Sequence, residues 1–190
     1  DAVPGAKDAI DEAIFGCVLQ AGCGQNPARQ AGLKAGLSET LSAMTVNKVC
    51  GSGLQAVMLA AQSIKAGDNA LVLAGGFENM SAAPHFAHVR GGIKFGDGRL
   101  VDHMQFDGLT CPFEGWAMGN AADHIARMHD VSRDEQDRFS AQSHQRAAAA
   151  TEAGHFDAEI VALSGAQVGN RRNPGPEGGL ARDEGIRADS

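Results

Sequence analysis

Residues 46–54 read VNKVCGSGL and mark the point where a predicted strand gives way to a predicted helix. The strand pattern over residues 43–49 is followed by a single cysteine, Cys50, and then by Gly, Ser and Gly. From there to residue 66, apolar residues recur at three- and four-residue spacing, which predicts an amphipathic helix that ends near Gly67. The chain therefore presents a thiol at the junction of a strand and a helix.

The segments on either side of this junction continue an alternation of strands and helices. Besides the central pair, the patterns predict strands over residues 13–19 and 70–74 and a helix that begins near Pro27 and ends at Gly36. The last strand is continuously apolar, as in sheets that are buried on both faces. Strand, helix, strand, helix, strand predicts an α/β fold with a mainly parallel sheet.

After residue 81 the composition changes, and the chain is predicted to divide there into a core, residues 1–81, and a loop domain, residues 82–190. The second part is expected to contain the following elements: irregular segments with a hairpin arm at 90–100, a helix at 118–129, a helix opened by a Ser132–Glu135 capping box, an extended stretch at 155–163, and a loop from 164 onward.

Composition excludes several classes of function. The chain has 190 residues, 43% hydrophobic and 21% charged, as in soluble globular proteins. A net charge of -7 argues against nucleic acid as a partner, and no apolar run is long enough to span a membrane. The cysteines lack the spacing of a zinc site, which favours reduced thiols and a cytoplasmic location; they are Cys17, Cys23, Cys50 and Cys111.

Cys50 is the candidate nucleophile. The positive end of a helix dipole favours the thiolate form of a nearby cysteine, and the backbone N–H of Cys50 is a candidate donor to an oxyanion. Gly51 and Gly53 leave room for a bulky substrate to approach the backbone. The position of Cys50 in the sequence does not by itself exclude the alternative that this cysteine is buried and acts as a small apolar side chain.

Several segments in the same order resemble the thiolases, a family of acetyl-CoA acyltransferases. They are NKVCGSGL at 47–54, GCVLQAGCGQNPARQ at 16–30, AGGFENMSAAPH at 74–85, RGGIKFGD at 90–97, DGLT at 107–110 and VSRDEQDRFS at 131–140. The resemblance implies a layered thiolase fold with an inserted loop domain.

The resemblance also implies a reaction and its participants. Cys50 would carry an acyl group taken from acyl-CoA, and a second acetyl-CoA would attack it to form a 3-ketoacyl-CoA, or the reverse thiolysis would occur. Leu109 and Met118 match positions that line the coenzyme A channel, and the arm at 88–97 matches a tetramerisation loop. Coenzyme A thioesters are then substrates, and no cofactor or metal is expected.

The chain departs from the family in two respects. The family's Asn-Glu-x-Phe, Gly-His-Pro and Cys-Gly-Gly-Gly segments do not occur in residues 1–190, and the chain is expected to be the first half of a longer enzyme, incomplete at both ends. Ala117 stands where the family usually has histidine, which weakens an acetyl-specific assignment and favours a broader or altered acyl preference.

Two rival interpretations of the function remain open, and a metal site is disfavoured. A β-ketoacyl synthase-like condensing enzyme shares the expected architecture, although the CGSG and ENMS motifs favour a thiolase. A non-catalytic thiolase-like protein that binds acyl-CoA would keep the same fold. A metal site at His85 and His88 is disfavoured, because Pro84 argues against a regular helix there and no third ligand is evident.

Overall fold

The computed structural model describes residues 5–169 and 174–187, which form two compact units that divide between Ala117 and Met118. The elements of the first unit are α1 (Ala6–Ala9), β1 (Glu12–Gly16), α2 (Pro27–Lys34), β2 (Ser42–Val46), α3 (Ser52–Ala66), β3 (Val72–Gly76), a 3-10 turn (Met80–Ala82), β4 (His85–Phe86), β5 (Val101–Asp102) and a π-helix (Met104–Leu109). Those of the second are α4 (Met118–Met128), α5 (Arg133–Glu152) and α6 (Gly165–Val168). The predicted division after residue 81 stays a prediction.

The core of the first unit is a three-stranded parallel sheet with the order β2–β1–β3. The central strand pairs Glu12 with Ser42 and Val72 and continues in register to its end. Ala13 and Ile14 of this strand are fully buried, as the two-sided covering of a parallel sheet requires. The predicted α/β class with a parallel sheet is confirmed, and each strand lies within one to three residues of its predicted bounds.

Two crossover helices cover the sheet. The connection through α2 leads from β1 to β2, and the connection through α3 leads back past β1 to β3. Because parallel crossovers are right-handed, these opposite directions place α2 and α3 on opposite faces of the sheet. The predicted start of α2 and the predicted end of α3 are confirmed. Pro27 is the first residue of α2, and Gly67 follows the last residue of α3 with a φ of 84°.

Helix α3 packs on the sheet through its small residues. Ser52, Ala56 and Ala60, one turn apart, are the buried positions, while the larger Leu54 and Val57 are exposed. Small side chains allow the helix axis to approach the strands closely. The apolar spacing that predicted the helix therefore describes a face other than the one that contacts the sheet.

The segment after β3 is partly as predicted. Strands β4 and β5 pair antiparallel, so residues 87–100 leave and return like the predicted hairpin arm, and Phe95 within them is 99% exposed. The π-helix at Met104–Leu109 was not predicted, because a single extra residue per turn leaves no distinct spacing over six residues.

The second unit is mainly helical. Helix α4 begins at the predicted residue, and α5 opens with the predicted capping box of Ser132 and Glu135. The extended stretch predicted at 155–163 is found only in part: residues 155–159 form turns, and Leu163 makes an isolated β-bridge with Leu180. The loop expected from residue 164 onward was wrong at α6, because Ser164 and Gln167 form a second capping box. Among the described residues, no helix combines the length and apolarity that a membrane crossing needs.

Candidate active site

Cys50 lies in the turn that joins β2 to α3, at the carboxyl edge of the parallel sheet. This edge is where α/β proteins commonly bind ligands. The thiol-bearing residue is exposed, and it is free, as are Cys17, Cys23 and Cys111. Its exposure excludes the alternative of a cysteine buried as a small apolar side chain.

Glycines allow this turn to pack closely against the ends of strands β1 and β3. A Cβ placed on Gly16, the last residue of β1, would lie 2.4 Å from the carbonyl carbon of Ser52 and 2.5 Å from the backbone nitrogen of Gly53. A Cβ on Gly76, at the end of β3, would lie 3.3 Å from the Cα of Gly53. The first turn of α3 therefore rests on backbone at both neighbouring strands, which only glycine permits at Gly16.

The residue before Cys50 has an unusual backbone conformation. Val49 has a φ of 48°, in the left-handed region that β-branched residues rarely adopt. Its N–H donates to Oδ1 of Asn47 at 2.9 Å. The hydroxyl of Ser52 accepts from the N–H of Lys48 and donates to the carbonyl of Val49. The turn is thus held by side chains on both sides of Val49.

A cavity of about 170 Å³ adjoins Cys50. Its remaining walls are predominantly apolar and comprise Val18, Leu19, Val49, Glu78, Met80, Met104, Gly108 and Leu109. Leu109, for which the resemblance implied a place in the coenzyme A channel, therefore shares a cavity with Cys50. Met118, placed in the same channel, is the first residue of α4 in the second unit and is 43% exposed.

Glu78 fixes one wall of the cavity. Its carboxylate accepts the N–H groups of Val18 and Leu19 at 2.9 and 3.0 Å, and the thiol of Cys17 lies 3.6 Å from it. The side chain thereby ties the loop after β1 to the end of β3. Burial, and secondly the charge of Glu78, raises the pKa of Cys17 to about 11, so this cysteine stays a thiol at neutral pH.

His103 directly precedes the π-helix, which contributes Met104, Gly108 and Leu109 to the cavity. The imidazole is only 7% exposed; its Nε2 accepts the N–H of Ala21 at 3.3 Å, and its Nδ1 pairs with the carboxylate of Asp107. Since Nε2 acts as an acceptor, the ring proton of the neutral imidazole is assigned to Nδ1. Sequence reasoning missed this pair, although its spacing of four residues is a signal that could have identified it.

The histidines considered as metal ligands have other surroundings. His85 pairs with Asp102 across the β4–β5 ladder, and the ring of His88 packs edge-on against Phe86 at 5.1 Å. Within residues 5–169 and 174–187, no three His, Cys, Asp or Glu side chains are grouped as metal ligands. Arg29 is not available to this site either, because it donates to the carbonyls of Glu39 and Leu41.

Comparison with known sequences and structures identifies the relatives of this chain. It is 52% identical over 157 residues to an acetyl-CoA acetyltransferase of Escherichia coli, an alignment that covers 82% of this chain and 40% of that protein. It is 50% identical over 179 residues to a probable acetyl-CoA acyltransferase of Staphylococcus aureus, covering 94% of this chain and 44% of that one. A cytosolic acetyl-CoA acetyltransferase of Rattus norvegicus is 51% identical over 82% of this chain and 39% of its own length.

A similar fold occurs in a solved structure. The crystal structure of a thiolase from Ascaris suum in complex with coenzyme A superposes with a TM-score of 0.78, at 38% identity, over 83% of this chain and 41% of that one. The chain thus spans about two-fifths of the length of these relatives. The family model described as thiolase, N-terminal domain, matches residues 2–190. With this match and identities near 50%, the chain belongs to the thiolase family.

Proposed function

We propose that the protein containing this chain is an acetyl-CoA C-acyltransferase that forms or cleaves 3-ketoacyl-CoA through an acyl group on Cys50. The observation that carries the proposal is the placement of Cys50. It is an exposed thiol within the family's nucleophile segment, and it lines an apolar cavity large enough for an acyl chain. Relatives at about 50% identity bear names of this activity.

The first half-reaction uses the residues described above. The Cys50 thiolate attacks the thioester carbonyl of an acyl-CoA, a bond forms between that carbon and Sγ, and the carbon–sulfur bond to coenzyme A breaks. Coenzyme A leaves as a thiolate and takes up a proton. The acyl chain is then covalently held beside the apolar walls that include Leu109 and Met104.

In the second half-reaction, the carbanion of an acetyl-CoA attacks the acyl-cysteine, and Cys50 leaves as thiolate while the 3-ketoacyl-CoA forms. The base that removes the methyl proton belongs to segments that the resemblance places outside residues 1–190. The reaction uses coenzyme A thioesters as substrates and requires no cofactor. Ala117, where the family usually has histidine, favours acyl groups other than acetyl alone.

Two further properties form part of the proposal. The arm at 88–97 would hold subunits together as a tetramer, so deletion of residues 90–97 should convert the assembly to dimers in light scattering; an unchanged mass would contradict this role. A cytoplasmic location is favoured by the free state of all four cysteines and by the cytosolic relative in Rattus norvegicus.

The test is direct detection of the acyl-enzyme. The protein is incubated with acetyl-CoA, quenched in acid and digested, and acetyl groups are located by peptide mass spectrometry. Acetylation is expected at Cys50 and absent from Cys23, which is also exposed and serves as the control in the same sample. An unmodified Cys50 would exclude the acyl-carrier role, and with it both the thiolase and the condensing-enzyme interpretations.

If Cys50 is acetylated, thiolysis rates over a series of 3-ketoacyl-CoA chain lengths separate the remaining alternatives. A thiolase cleaves these substrates at the expense of free coenzyme A. A condensing enzyme that takes carrier-bound malonyl units does not. The thiolase interpretation predicts measurable thiolysis with a preference set by chain length.

A further inference from the structure

We propose that Ser52 and Asn47 are positioning residues for Cys50: together they hold Val49 in its left-handed conformation and thereby fix the thiol against the cavity. This inference rests on the proposed function, because it takes Cys50 as the acyl carrier. It assigns a role to two polar side chains that do not themselves line the cavity.

The conformation of Val49 requires such a support. A left-handed backbone is unfavourable at a β-branched residue and persists only where the surrounding structure enforces it. Val49 is 52% exposed, so burial of this residue offsets that cost only in part. The polar contacts of the turn supply further stabilisation.

Ser52 supplies two of these contacts. It is 4% exposed, and its hydroxyl accepts the N–H of Lys48 at 2.8 Å while donating to the carbonyl of Val49 at 2.6 Å. The two bonds hold the backbone on both sides of the left-handed φ, at the N–H of Lys48 and at the carbonyl of Val49. The backbone adds two bonds of its own, from the N–H of Gly51 to Lys48 and from that of Ser52 to Val49, each 3.1 Å.

Asn47 holds the turn from the strand side. Its Oδ1 accepts the N–H of Val49 at 2.9 Å, and its Nδ2 lies 3.5 Å from the carbonyl of Val18, a cavity residue. Ser52 in turn is seated against Gly16. The turn is thus held by contacts of Asn47 with the loop after β1 and of Ser52 with Gly16 of β1. Cys50 lies between Asn47 and Ser52 in the chain.

The consequence is a pre-set position for the thiol. If Val49 relaxed to an extended or right-handed conformation, the N–H of Lys48 and the carbonyl of Val49 would no longer meet the same hydroxyl. Cys50 would then move relative to the cavity wall. Misplacement of a reacting group by about 1 Å costs on the order of 100-fold in rate, so support of the turn acts on the acylation step rather than on substrate binding.

The experiment compares Ser52→Ala, Val49→Gly and Val49→Asn with the wild-type protein and with Ser42→Ala, which removes an exposed hydroxyl from β2. Two rates are measured by peptide mass spectrometry: acetylation of Cys50 by acetyl-CoA, and alkylation of Cys50 by iodoacetamide, each relative to alkylation of Cys23. Circular dichroism monitors folding of every variant.

Ser52→Ala is expected to slow acetylation of Cys50 by about 10- to 100-fold at saturating acetyl-CoA, with alkylation of Cys23 unchanged. Val49→Gly should also slow it, because glycine removes the strain but frees the turn. Val49→Asn should slow it less than Val49→Gly does, since asparagine tolerates the left-handed region, while both changes alter the same part of the cavity wall. Ser42→Ala should be neutral.

Equal rates for wild type, Ser52→Ala and Val49→Gly would overturn the inference. So would a loss confined to the apparent affinity for acetyl-CoA. If Ser52→Ala fails to fold, the contrast between Val49→Gly and Val49→Asn decides alone. Iodoacetamide reports on Cys50 without any coenzyme A chemistry: variant-dependent alkylation without acetylation of the wild-type protein would refute the proposed function and leave the positioning role supported.

Discussion

Two cysteines follow neighbouring strands at the same edge of the sheet, and their surroundings differ completely. Cys17 comes directly after β1, is 3% exposed and lies beside the carboxylate of Glu78. Cys50 comes four residues after the end of β2, beyond a left-handed residue, and is exposed. A cysteine at a strand end is therefore not sufficient for a reactive site; the intervening turn brings the thiol out of the core.

Exchange of each cysteine for serine tests this contrast most strongly. Cys50→Ser is expected to abolish acetyl incorporation and to lower acyl transfer by at least about 10³-fold, because no other described thiol lines the cavity. Cys17→Ser should leave acyl transfer within a few fold of wild type. The measurement is the steady-state rate with acetyl-CoA, together with peptide mapping. A comparable loss in both variants would remove the distinction between the two positions.

The glycine at the end of β1 offers the next largest effect. Gly16→Ala places a methyl group 2.4 Å from the backbone of Ser52, which cannot move without displacing the start of α3. We expect a loss of about 1–3 kcal/mol in the free energy of unfolding and a reduced rate of acetylation at Cys50.

Gly185→Ala is the matched control, because a Cβ there meets no atom within 4 Å and its φ is not positive. Urea denaturation should leave the midpoint of this variant close to that of wild type. Equal stability of the Gly16 and Gly185 variants would mean that the turn does not pack against β1.

The comparison also shows which parts of the molecule are encoded locally. The strands and the boundaries of α2 and α3 are predictable because periodicity, Pro27 and Gly67 act within a few residues of the position they determine. The location of Cys50 at the carboxyl edge follows from the same patterns. Local sequence signals are therefore enough for the sheet, its helices and the candidate nucleophile.

What surrounds Cys50 depends on contacts between distant segments. Glu78 meets Val18 and Leu19 across about sixty residues of sequence, and His103 meets Ala21 across 82. The spacing of residues near either partner does not predict contacts between such distant positions. Val49 is a different case: its sequence environment favours a strand, but side-chain bonds from the nearby Asn47 and Ser52 accompany a left-handed conformation.

Glu78 provides a smaller and more specific test of the two cysteines. Glu78→Gln keeps the shape of the side chain and removes the charge that contributes to the raised pKa of Cys17. The pKa of Cys17 should fall from about 11 toward its ordinary value near 9, and its alkylation rate at pH 9 should rise several-fold to about 10-fold.

Cys23 alkylation in the same samples is the reference, since Cys23 is exposed and does not line the cavity that contains Glu78. Peptide mass spectrometry after timed exposure to iodoacetamide reports both residues. A Cys17 rate that does not change relative to Cys23 would show that burial alone, without the carboxylate, keeps Cys17 as a thiol.

The smallest expected effect is on stability at alkaline pH. The pKa of Cys17 is higher in the folded chain, about 11, than in the unfolded chain, about 9, so the unfolded state loses its proton first as the pH rises. The contribution of Cys17 to stability is therefore fully present below about pH 9 and declines until about pH 11.

The expected loss at pH 10 is about 1 kcal/mol. In Cys17→Ala, urea unfolding between pH 8 and pH 10 should show a correspondingly shallower decline than in wild type. Parallel slopes for the two proteins would mean that the pKa of Cys17 is the same in the folded and unfolded chain, and the difference between the two strand ends would then lie in the Cys50 turn alone.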